Sequence, residues 1–116
     1  MKLLVVLSEP PYNGRDVAWN ALRLADTALT AGSQVHVFLI NDAVDVARQR
    51  DRVEERSVDL AAMLQETMEK GAQVKLCQTC LDRCGIERGE LVAGAEVASM
   101  ADLHRWLEEA DKVVSF

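Results

Sequence analysis

Short, nearly continuous apolar runs, each followed by a segment of helical period, constrain this chain more than any other feature. Lys2 to Ser8 reads KLLVVLS and stops in turn chemistry at Glu9, Pro10, Pro11, Asn13 and Gly14. A run that short and that apolar is what a strand buried on both faces of a parallel sheet requires. Over Arg15 to Thr30, Ala18, Ala21, Leu22, Ala25, Ala28 and Leu29 recur along one helix face, and Gly32 is placed to end the helix. Gln34 to Ile40 (QVHVFLI) repeats the strand pattern, with Asn41 and Asp42 at its carboxyl end.

The alternation continues to the last residue. Ala43 to Arg48 suits a short helix. Gln49 to Arg56 carries charges of both signs without an apolar face and reads as a mobile connection. Ser57 is expected to cap a helix reaching about Lys70, with Leu60, Ala61, Leu64 and Met68 on its buried side and Gly71 ending it. Gln73 to Leu76 is a short strand running into Cys77, followed by a short helix over Gln78 to Cys84 that Gly85 terminates. Ala95 to Ala98 suits another short strand. Ser99 then opens the last helix with Asp102 three residues on, the pattern of a capping box. Leu103, Trp106, Leu107 and Ala110 supply that helix's buried face, and Lys112 to Phe116 is a final strand.

Strands alternating with helices imply right-handed parallel crossovers. The expected fold class is α/β: one domain over residues 1–116, a three-layer α/β/α sandwich on a mainly parallel sheet of about five strands. Ligands collect beyond the carboxyl ends of such strands. The loops Ser8 to Gly14, Asn41 to Asp45 and the stretch after Cys77 should therefore meet.

Charge and composition exclude some functions. The formal net charge is −6, against the basic footprint that nucleic acid or an anionic membrane surface selects. No apolar stretch approaches the roughly 20 residues of a membrane helix, and no targeting segment is visible, so the expected compartment is the cytoplasm. Thiols stay reduced there. Three clustered cysteines, Cys77, Cys80 and Cys84, then read as catalytic, redox or metal-binding before they read as a disulfide framework.

Cys77 falls at a strand-to-helix junction, where unpaired N–H groups and the helix dipole stabilise a thiolate. Arg83 and Arg88 are candidates to add positive charge. Cys80 and Cys84 follow three and seven residues on, which places all three sulfurs on one helix face. Cys77-Gln78-Thr79-Cys80 also has the spacing for attack and resolution by a neighbouring thiol. Cys84, the farthest from the junction, is expected to pack. A zinc site is a weaker reading, because a closed site wants four ligands and only His36 and His104 remain as good donors. An iron–sulfur cluster lacks its fourth cysteine. Phosphate-binding glycine fingerprints are absent, and no cofactor is expected. Glu9 and Asp42 are minor acid–base candidates, and Trp19 and Trp106 are expected to pack or to meet a partner.

With these segments set out, the sequence resembles the DsrE/DsrF-like family, the sulfur-relay group that includes TusD, DsrE and YchN-type proteins. The resemblance spans nearly the whole chain. It rests on the order and spacing of KLLVVLS, PPYNGRDVAWNALRLA, VHVFLINDAV, GAQVKLCQTCLDRCGI and SMADLHRWLEEADKVVSF. It implies a parallel α/β sandwich assembled as a homo-oligomer, a trimer or hexamer. It further implies that Cys77 accepts sulfane sulfur as a persulfide and hands it from a donor protein to an acceptor protein. Arg83 matches a basic position after the short helix, whereas Cys84 departs from the basic or small residue usual there. Cys77 and Cys80 are thus the catalytic candidates, with Cys84, Arg83, Asn41 and Asp42 as assisting ones. Two other readings stand beside sulfur transfer: a thiol redox or regulatory module using the Cys77–Cys80 pair, and a non-catalytic oligomeric binding protein.

Overall fold

The computed structural model describes residues 1–53 and 57–116. Its elements run β1 (Lys2–Leu7), α1 (Val17–Thr30), β2 (Gln34–Leu39), a 3₁₀ segment (Asn41–Ala47), α2 (Leu60–Glu69), β3 (Gln73–Cys77), α3 (Gln78–Cys84), β4 (Glu96–Ala98), α4 (Met100–Glu109) and β5 (Lys112–Ser115). All five strands join one sheet in the order β4-β3-β2-β1-β5, and every pairing is parallel. The parallel α/β fold expected from the alternation is therefore present. Three successive crossovers step in one direction from β1 to β4, and the fourth returns across the sheet to β5.

Right-handed crossovers put α1, α2 and α3 on one face and α4 alone on the other. Side-chain contacts agree: Trp106 of α4 stacks on His36 at 4.2 Å between ring centroids and meets Phe38 edge-on at 6.2 Å. Both residues project from the same face of β2, because strand side chains alternate. Leu4 pairs in register with His36, and Phe38 with Lys75, whose ammonium lies 4.7 Å from the Trp106 ring centre. The opposite face carries Leu3, Val5, Leu7, Val35, Val37, Leu39, Val74 and Leu76, all buried. Both faces of β1 and β2 are thus lined with core residues, which is why their sequences read as unbroken apolar runs.

Local chemistry sets the helix ends. Ser99 Oγ accepts from the Asp102 N–H and Asp102 Oδ2 accepts from the Ser99 N–H at 2.8 Å, which completes the predicted capping box. Gly85 ends α3 at φ 68°, a left-handed conformation that glycine adopts without steric cost. Four expectations are corrected. Asp59, not Ser57, caps α2, because its carboxylate accepts from the Ala62 N–H while Ser57 lies two residues further out. The segment after β2 is a 3₁₀ turn starting at Asn41, not a helix from Ala43. Leu107 is 42% exposed, because α4 meets the sheet through Leu103 and Trp106 and turns Leu107 to its flank. Of the supposedly mobile stretch, Arg50 is anchored by a 2.7 Å ion pair to Asp45 and lies over the Tyr12 ring; residues 54–56 fall outside the described residues.

Candidate functional site

Three loops converge at the carboxyl edge of the sheet, and the cysteines sit among them. β3 delivers Cys77 to the edge as the residue that caps α3. Its backbone is still extended (φ −69°, ψ 119°), and its Sγ accepts from the Cys80 N–H at 3.4 Å. Cys77 is only 5% exposed. Cys80, one turn along α3, is half-buried, and Cys84, a further turn along, is exposed. The residue expected to pack is therefore the most accessible of the three: Cys84 is the last residue of α3, a helix that buries only Leu81.

The 3₁₀ segment after β2 holds the outer two sulfurs. Asn41 has φ 55°, a left-handed conformation that asparagine tolerates better than most residues. This geometry brings its N–H to Cys80 Sγ at 3.2 Å. The next residue, Asp42, accepts from Cys84 Sγ across 3.8 Å, a long contact even for sulfur. Consecutive residues of one turn thus meet consecutive turns of α3, which confirms that these sulfurs share a face. Ser8, Asn41, Asp42, Cys80, Arg83 and Cys84 line a cavity of about 420 Å³. A neighbouring cavity of about 560 Å³ shares Asp42, Arg83 and Cys84 and adds Asp45 and Arg48.

Electrostatics separates the thiols. Burial, then hydrogen bonding to the Cys77 sulfur, pushes the Cys80 thiol up, against the opposing Asn41 N–H; the charges of Cys77 and Cys84 add to the rise. Desolvation of its sulfur and then the charge of Asp42 push the Cys84 thiol up, while Arg83 opposes them. Cys80 and Cys84 are accordingly neutral thiols at pH 7.

The structure brings together Cys77, Cys80, Cys84, Asn41, Asp42 and Arg83. It leaves other candidates aside. Glu9 is engaged within its own loop, with Arg15 at 3.1 Å and Asn13 at 3.3 Å. Arg88 hydrogen-bonds Gln78. His36 stacks under Trp106, and His104 is exposed and pairs with Glu108 at 3.2 Å, so neither joins the thiols. Among the described residues no three His, Cys, Asp or Glu side chains are grouped to hold a metal ion. Sequence reasoning missed Arg48 and Asp45, whose ion pair lines the second cavity. It also missed Tyr12, whose hydroxyl accepts from the Leu60 N–H at 2.9 Å. The positive φ of Tyr12, 57°, left no mark in the sequence.

The profile of the DsrE/DsrF-like family matches residues 1–116. The chain belongs to this family. It is 38% identical over 116 residues to an uncharacterized protein of Methanocaldococcus jannaschii, all of both chains being covered. To an uncharacterized protein of Methanopyrus kandleri it is 38% identical over 114 residues, 98% of this chain and 93% of the other. Protein YchN of Escherichia coli is 33% identical over 117 residues, covering 99% of this chain and 98% of YchN. The YchN crystal structure superposes with a TM-score of 0.88 over 100% of this chain and 99% of its own. A protein of unknown function from Methanobacterium thermoautotrophicum, 17% identical with a TM-score of 0.75, covers 99% of this chain and 98% of its own and shares the fold. Among the described residues no helix is long and apolar enough to cross a membrane.

Proposed function

We propose that this protein carries sulfane sulfur as a persulfide on Cys77, taking it from a donor protein and passing it to an acceptor protein in the cytoplasm. One observation carries the reading: Cys77 Sγ caps α3 at the carboxyl edge of the sheet and accepts the N–H of Cys80, whose own side chain lines a polar cavity. The Cys77 thiolate attacks the outer sulfur of an incoming persulfide R–S–SH, whether the donor's own or one formed on a neighbouring cysteine. The new S–S bond forms as the old one breaks, R–S⁻ leaves, and the proton stays on the transferred sulfur. Family membership supports sulfur chemistry at this edge. Incubating the protein with a sulfane donor, alkylating and digesting it should add about 32 Da, one sulfur atom, to the peptide bearing Cys77. No adduct on any cysteine with several donors would overturn the reading.

The C-x-x-C spacing, with the Cys80 N–H on the Cys77 sulfur at 3.4 Å, favours one alternative, a thiol redox module in which this pair cycles between dithiol and disulfide. A potential far more oxidising than the cytosolic glutathione poise would keep the pair reduced and remove that alternative. We also propose that the chain assembles as a trimer or hexamer. Val113, Leu107 and Met100, exposed around the face that α4 covers alone, support an assembly.

A further inference from the structure

The three thiols differ in accessibility in the order of their positions along α3. Cys77 is 5% exposed, Cys80 half-buried and Cys84 exposed. A partner's reactive sulfur cannot reach a nucleophile that is almost wholly covered unless something carries the atom inward. The same helix supplies that route. Side chains three or four positions apart on a helix are neighbours, and Asn41 and Asp42 contact the outer two sulfurs from the same side. Cys80 and Cys84 both open onto the 420 Å³ cavity, and Cys84 alone of the three also borders the 560 Å³ one.

We infer that Cys84 is the exchange thiol at which sulfur enters and leaves, that Cys80 relays it, and that Cys77 holds it under cover. This inference rests on the persulfide reading above. Each step is one exchange. The Cys84 sulfur takes the outer sulfur of the donor persulfide and R–SH departs. The Cys80 sulfur then attacks the outer sulfur of Cys84–S–SH, and its proton passes to the departing Cys84 sulfur, which leaves as Cys84–SH. The step repeats from Cys80 to Cys77. One S–S bond breaks as one forms, the sulfane sulfur keeps its oxidation state, and no external oxidant or reductant is consumed. Asp42 holds the resting Cys84 thiol protonated, the departing donor sulfur takes up that proton during the exchange, and Arg83, on the same wall, lies beside the charge that develops. Cover over Cys77 keeps the stored persulfide away from solvent thiols, which would otherwise strip it as sulfide.

The sequence itself makes the test direct. Trypsin cleaves after Lys75, Arg83 and Arg88, so Cys77 and Cys80 leave on Leu76–Arg83 and Cys84 leaves alone on Cys84–Arg88. The full-length protein is mixed with glutathione persulfide, quenched by alkylation at intervals and digested. The expected course is sulfur on Cys84–Arg88 first and on Leu76–Arg83 later. In Cys84→Ser, loading of Leu76–Arg83 should slow about tenfold, with circular dichroism unchanged because Cys84 is exposed. In Cys77→Ser, Cys84–Arg88 should load at the wild-type rate but lose its sulfur faster in a dithiothreitol chase. The relay is overturned if Leu76–Arg83 loads at full rate in Cys84→Ser, or if Cys84–Arg88 never gains sulfur while Leu76–Arg83 does. Loss of Cys84–Arg88 loading in Cys77→Ser also overturns it. Absence of sulfur on both peptides instead removes the persulfide reading beneath it.

Discussion

At the scale of single residues, the cysteines divide the work of structure and reactivity, and substitutions can separate the two. Cys77 is both a buried side chain and the cap of α3. Cys77→Ala removes the cap acceptor and should cost about 1 kcal/mol in urea denaturation. Cys77→Ser keeps an acceptor, so its stability should recover toward wild type while the protein no longer retains sulfur through a dithiothreitol chase. Wild-type retention with serine would remove the role of Cys77 as the sulfur-holding nucleophile. At Cys84 the charged neighbours act with opposite sign, Asp42 and Asp45 against Arg83. Asp42→Asn removes the larger of the two negative charges that add to desolvation in holding the thiol up, so alkylation at pH 7.5 should quicken by roughly 2–5-fold; Arg83→Gln should slow it similarly. The fold keeps both Cys80 and Cys84 as neutral thiols, whereas the unfolded chain ionises them near their ordinary value of 9.0. Stability should therefore be level below that pH and fall as pH rises through it. The cysteine spacing in the sequence was enough to place the Cys80 and Cys84 sulfurs on one helix face, with Cys77 as the cap before it. Their exposures were not legible there, since these depend on what tertiary packing lays against α3, which buries only Leu81 of that helix. Nor was the positive φ of Asn41, which tertiary packing imposes.

At the scale of elements, what could be read was what a local pattern specifies. β1 and β2 announce themselves because both their faces are buried, and α4 because Ser99 and Asp102 cap it within four residues. The start of α2 was misplaced because a hydroxyl from Tyr12, 48 residues away in the chain, helps to satisfy its first N–H groups. Leu107 was misassigned for a related reason: periodicity gives a face but not its width, and a lone helix on a sheet buries only a narrow stripe. That stripe centres on Trp106. Trp106→Ala should cost about 3–5 kcal/mol in chemical denaturation, because it leaves His36 and Phe38 without their packing partner. His36 supplies a pH signature for the same contact. Burial holds its imidazole below the ordinary 6.5; Glu109 opposes this, and Lys2 and Lys75 reinforce it. The folded protein keeps His36 neutral while the unfolded chain takes up the proton, so stability should be complete above pH 6.5 and decline as pH drops below it. Thermal melts of His36→Phe should lose that part of the slope; an unchanged slope would assign it to other groups.

At the scale of the molecule, the topology leaves the two faces of the sheet unequally covered. Three helices pack on one face, and α4 alone crosses the other on its return to β5. The strand order follows from no local pattern in the sequence, yet it decides where apolar side chains stay uncovered. Val113 pairs in register with Leu4 and so projects from the α4 face, but it stands on the edge strand, beyond the reach of Trp106, and is 46% exposed. Leu107, at 42%, flanks the same helix. An edge strand with an exposed β-branched residue and free backbone groups is one that soluble proteins cover or charge. Nothing in β5 except Lys112 at its start does so. The formal charge of −6 repels copies over long range, so any contact between them must come from close apolar packing at such a patch. If the proposed trimer or hexamer uses this face, Val113→Asp and Leu107→Glu together should reduce the mass in light scattering to that of one chain of 12.8 kDa. Neither side chain belongs to the buried core, so circular dichroism and sulfur loading by a small donor should be retained. An assembly that survives both substitutions would be held by another surface, and a wild-type protein that is already monomeric would remove the proposed assembly altogether.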